Sequence, residues 1–99
     1  MKQIVAFFWY RTAEEFEYLK SVSEDSATHF DTYAQWLKAA ENGIKQLSMP
    51  GKENEVFKAE VDPEKYLAWC RSSGHKINSK SRTAYANILC ASHYGLGGQ

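Results

Sequence analysis

Apolar residues run unbroken from Ile4 through Val5, Ala6, Phe7, Phe8 and Trp9 to Tyr10. A short continuous run rich in β-branched and aromatic side chains predicts a strand covered on both faces. Thr12 is then placed to cap a helix, with Glu14 and Glu15 in its first turn, where the helix dipole favours anions. Phe16 and Leu19 supply the buried side of that helix, and the pattern breaks near Ser23–Ser26. Phe30, Tyr33, Trp36, Leu37, Ala40, Ile44 and Leu47 recur at steps of three and four, which makes one apolar stripe. A helix running to about residue 48 is therefore expected. Gly43 allows a competing reading in which residues 44–49 form a strand and Pro50-Gly51 turns it into a hairpin.

Residues 50–54 read as a loop. Phe57, Ala59 and Val61 then alternate with Lys58 and Glu60, as in a half-exposed strand. Asp62-Pro63 is a helix start: a capping acceptor, then proline where no amide donor is missed. Tyr66, Leu67, Trp69 and Cys70 form that helix's buried side, and Gly74 closes it. A last helix begins at Asn78 or Ser79, with Ala84, Tyr85, Ile88, Leu89 and Ala91 as its apolar face, and the tail from Gly95 to Gln99 frays. The expected fold is a small two-layer α+β domain in the order β-α-α-β-α-α. Two strands make a marginal sheet by themselves. Either the helices cover both faces, or a homodimer extends the sheet from edge to edge; the doubly apolar first strand favours the homodimer.

The chain has 99 residues and is one domain on length. Its seven-residue apolar run is far short of the ~20 that cross a membrane, and acids follow it at once with no small-residue cleavage site. No membrane association is expected, and the reading is cytoplasmic. One possible cysteine pair without an export signal argues for reduced thiols.

Twelve basic and twelve acidic residues balance, but unevenly along the chain. Residues 1–65 hold all twelve acids and eight bases, whereas residues 66–99 hold Arg71, Lys76, Lys80 and Arg82 and no acid. Such asymmetry marks either an anionic partner or attraction between the two parts of the chain. Lys80 and Arg82 fall in the first turns of the last helix, where free amides already carry partial positive charge. An anion there would accept hydrogen bonds from those amides and from Ser79 or Ser81, and pair with the cations. The candidate anion- or partner-binding residues are Arg71, His75, Lys76, Ser79, Lys80 and Arg82. The competing reading is a solvated basic turn balanced by acids from the first half.

A helix-turn-helix reading of the same stretch fits poorly, because the turn is long and few base-reading side chains follow it. Nucleic acid therefore stands as an alternative partner. Cys70, His75, Cys90 and His93 are zinc-type ligands, but their spacing matches no finger, and each cysteine lies among apolar positions. Asp25 and His29 are four apart and read as a local pair. No nucleophile–base set or phosphate loop stands out, so neither an enzyme nor a cofactor is expected. A small enzyme or ligand carrier with a pocket near Trp69, Cys70 and His93 is the remaining alternative.

Overall fold

A computed structural model describes residues 3–26, 30–49, 51 and 54–95. The elements follow the expected order: β1 (Gln3–Trp9), α1 (Ala13–Val22), α2 (Tyr33–Leu47), β2 (Asn54–Glu60), α3 (Pro63–Ser73) and α4 (Ser79–Tyr94). Residues 44–47 stay helical, because Ile44 and Leu47 continue the stripe that packs on the core. Gly43 is the close-approach point of α2: a Cβ there would sit 3.7 Å from the Phe7 ring. Tail residues 96–99, His29 and loop positions 50, 52 and 53 lie outside the described residues.

β1 and β2 run parallel, with Gln3 beside Asn54 and Trp9 beside Glu60. Aligned residues of parallel strands share a face, so Val5, Phe7 and Trp9 stand with Val56, Lys58 and Glu60. The other face carries Ile4, Ala6 and Phe8 with Glu55, Phe57 and Ala59. Helix α2 covers the first face, where Trp36 meets Trp9 edge-on at 4.9 Å. Helices α3 and α4 cover the second, where Phe8 meets Tyr66 at 4.9 Å and Phe57 meets His93 at 4.8 Å. Cover on both faces is what a parallel pair requires.

Each helix starts where a side chain relieves free amides. Thr12, Thr32, Asp62 and Asn78 accept from the amides of Glu15, Gln35, Glu64 and Ser81. Helix α2 begins after Thr32, so Phe30 precedes it and is exposed. On α4 the buried residues are Ser81, Tyr85, Ala86 and Cys90, whereas Ile88 is 46% exposed. The apolar face expected there is thus rotated, because Ser81 has a hydrogen-bond partner that lets it replace an apolar side chain in the interior. The core joins Trp9, Tyr10, Phe16, Leu19, Trp36, Val61, Tyr66, Leu67, Cys70 and Tyr85. Among the described residues, no helix is long and apolar enough to cross a membrane.

Candidate functional site

The corner between α3 and α4 is built by three local devices. Gly74 ends α3 in the left-handed conformation (φ 72°), and the amide of His75 donates back to the Cys70 carbonyl at 2.9 Å. Asn78 and Ser81 form a reciprocal capping box at the start of α4. The Ser81 hydroxyl donates to the Asn78 carbonyl and lies 2.7 Å from the Tyr66 hydroxyl, so a buried polar link fastens α3 to α4. Burial, partly offset by the Ser81 hydrogen bond, holds the Tyr66 phenol well above its usual pKa. The linkage keeps the two helices at a fixed angle and with it the side chains they present.

The acids that balance this corner come from the turn after α1. The amide of Glu24 donates to the Ile77 carbonyl at 2.9 Å, and its carboxylate accepts from the Asn78 amide side chain at 2.7 Å. Asp25 sits at the start of α4: its Oδ2 accepts from the backbone amide of Ser79 at 3.1 Å. Both Asp25 oxygens engage the Arg82 guanidinium, Oδ1 at 3.2 Å and Oδ2 at 2.7 Å. Arg82 also donates to the Ser23 hydroxyl at 3.4 Å, and Ser23 in turn donates to the Leu19 carbonyl. The anion expected at the α4 N-terminus is thus a carboxylate of the chain itself.

Electrostatics follow from that geometry. The Arg82 hydrogen bonds hold the Asp25 carboxyl below its usual range against the opposing effect of desolvation. Burial is the largest single effect on Arg82 and works against its charge, but the Asp25 hydrogen bonds together with the charge interactions with Tyr10, Asp25 and Tyr66 outweigh it, and the guanidinium is held more firmly protonated. Nearby Tyr10 is pushed up to about 12 by burial, with the Arg82 charge opposing and the Asp25 charge reinforcing the shift.

The remaining candidates divide by place. Arg71 lies in the last turn of α3, Lys76 in the turn and Lys80 in the first turn of α4, and all three are exposed. None of the three carries an ion pair among the described residues. His75 is exposed and stacks on Trp69 at 4.6 Å and 15° between planes. Ser79 is exposed, and its amide is taken by Asp25.

The zinc-type ligands do not come together. Cys70 is part of the core, Cys90 is buried under α4, His75 lies on Trp69, and His93 lies on Phe57 at the other end of α4. No group of three or more metal-type side chains occurs among the described residues.

A hollow of about 350 Å³ opens beside the Asp25–Arg82 pair, lined by Phe8, Tyr10, Phe30, Trp36, Ser79 and Thr83 among others. A second of similar volume adjoins it over Ala6, Phe7, Ala39 and Ala40. The two share Ala6, Phe8, Phe30, Trp36 and Thr83, and make one trough along the outer edge of β1 between α2 and α4. This trough is walled by Trp36, not by the Trp69, Cys70 and His93 neighbourhood considered on sequence grounds. The sequence pattern marks neither Glu24 nor Tyr10 as a site residue, and it marks Asp25 only as a local partner of His29. Their signal was weak: a Glu-Asp pair in a pattern break, and a tyrosine closing an apolar run.

Fold and corner together define a small α+β domain with a parallel strand pair and a basic helix-helix turn. Compared with known proteins, the chain matches no family model, no curated protein and no solved structure.

Proposed function

We propose that this protein is a non-enzymatic binding module, acting as a dimer, that uses the α3–α4 corner to contact an acidic or phosphate-bearing partner. One observation carries this reading. The fold commits Glu24 and Asp25 to Asn78, Ser79 and Arg82, and leaves Arg71, Lys76 and Lys80 exposed with no ion pair among the described residues. Arg82 becomes a structural cation that fixes the start of α4. The other three, with the amphipathic His75–Trp69 stack between them, are the groups that meet the partner. Trp and Arg are the residue types enriched where partners bind most strongly.

The test is an anisotropy titration of a labelled polyglutamate peptide, repeated over a series of salt concentrations. Three contacts predict a log–log salt slope of roughly −2, by analogy with single-stranded polyanions. The double variant Lys76→Glu, Lys80→Glu, checked for folding by circular dichroism, abolishes binding. No binding by the wild type at low salt, or equal binding by the double variant, removes the corner from the account. A much steeper slope with single-stranded DNA than with polyglutamate transfers the reading to nucleic acid.

A further inference from the structure

β1 carries no charge between Gln3 and Tyr10, whereas β2 carries Glu55, Lys58 and Glu60. Charged side chains are the usual protection of a free strand edge. The more apolar strand of this pair is therefore the less protected one, although both lie at an edge of the two-stranded sheet formed by the described residues.

The hydrogen-bond pattern says which groups of β1 face outward. The amide of Val61 donates to the Trp9 carbonyl at 3.2 Å, while Trp9 is aligned with Glu60. In a parallel pair, a residue that accepts from its partner's successor also donates to its partner's predecessor. Trp9, Phe7 and Val5 thus turn both backbone groups toward β2. Ile4, Ala6 and Phe8 turn theirs outward, into the trough between α2 and α4.

We propose that the occupant of this trough is β1 of a second copy, paired antiparallel about a two-fold axis at Ala6, so that the sheet reads β2-β1-β1-β2 across the dimer. This rests on the dimer reading above and is independent of what the corner binds.

Ala6 is the central residue of Gln3–Trp9. With the axis there, Ala6 faces its own copy and Ile4 faces Phe8 of the second copy. The outward amides and carbonyls of residues 4, 6 and 8 then all find partners. The smallest side chain of the strand meets itself. Ile4, 38% exposed, gains an aromatic neighbour in the second copy. β1 itself brings no charged side chain to the pairing.

The register makes a sharp test. Facing residues of a hydrogen-bonded antiparallel pair have Cα atoms about 5.5 Å apart, within the range a disulfide spans. The two copies of Ile4 would be about 14 Å apart. Under mild oxidation, Ala6→Cys gives a covalent dimer and Ile4→Cys does not, while the buried native Cys70 and Cys90 contribute little background. Ile4→Lys, at an exposed position, shifts the sedimentation of the folded protein from dimer to monomer. A wild-type dimer with no preference for Ala6→Cys, or an unshifted Ile4→Lys, overturns this interface and leaves the dimer reading standing. A wild-type monomer at high micromolar concentration overturns both.

Discussion

Replacing Asp25 by Asn keeps the size of the side chain and removes its charge. Among the described residues, the wild-type carboxylate accepts two hydrogen bonds from the Arg82 guanidinium and one from the Ser79 amide. An asparagine offers a single acceptor oxygen and turns an NH2 group toward a cation. The Arg82 side chain is only 13% exposed and that of Asp25 23%, so the abandoned guanidinium cannot rehydrate without moving. Exposed ion pairs contribute roughly 0–1 kcal/mol, and breaking fully buried ones costs roughly 3–5 kcal/mol. This pair lies between, which sets the loss at about 2 kcal/mol. For a domain near 100 residues that lowers the melting temperature by roughly 8–16 °C. Thermal and urea unfolding followed by tryptophan fluorescence reads it directly, since Trp9 and Trp36 are buried in the core. A double-mutant cycle with Arg82→Met separates the pair from its surroundings, with an expected coupling of about 1–2 kcal/mol. An Asp25→Asn variant within about 0.5 kcal/mol of wild type, the range of ordinary surface substitutions, would refute the argument that this turn fastens α4.

Other consequences are equally direct. Because Arg82 holds the Asp25 carboxyl below its usual value, the pair's stabilisation is fully present above about pH 4, the unfolded value, and is lost as pH falls through the lowered folded value; urea midpoints between about pH 4 and pH 2 should fall less steeply in Asp25→Asn than in wild type. Ser81→Ala strips partners from the buried Tyr66 hydroxyl and the Asn78 amide and should cost about 1–3 kcal/mol, whereas Tyr66→Phe should cost less; equal losses by chemical denaturation would contradict the link. Gly74→Ala places a side chain at φ 72° with open space around it, so the loss of about 1–2 kcal/mol is purely a backbone effect, and an unchanged unfolding midpoint would argue against the left-handed cap. Freeing the Ser79 amide and Arg82 by Asp25→Asn should also tighten binding of inorganic pyrophosphate about two- to fivefold by calorimetry; weaker binding would mean that Arg82 does not reach the corner's anion.

Much of the architecture was legible because local signals agreed with one another. Thr12, Asp62-Pro63 and Gly74 mark helix ends by side-chain chemistry that operates within three residues, and the structure uses each of them. The stripe from Tyr33 to Leu47 outweighed Gly43, since one glycine costs a helix only about 1 kcal/mol. Strand direction was not legible, because parallel pairing depends on where the α1–α2 crossover returns the chain and no local pattern encodes that. The burial of Ser81 was equally hidden. A serine reads as polar until Tyr66, fifteen residues earlier, is seen to supply its partner. At the corner, the segregation of charge was visible along the chain, and so was the need for an anion at the start of α4. Which carboxylate would meet it was not, since Asp25 and Arg82 are 57 residues apart and are joined only by the fold.

The most direct measurement is an amide-resolved NMR titration of the wild-type protein with inorganic pyrophosphate at low salt. Shifts that saturate and cluster from Arg71 to Lys80, and that vanish in Lys76→Glu, Lys80→Glu, are the predicted result. Shifts confined to the trough along β1 and α2, or none at all, would contradict the proposal that Arg71, Lys76 and Lys80 meet an anionic partner.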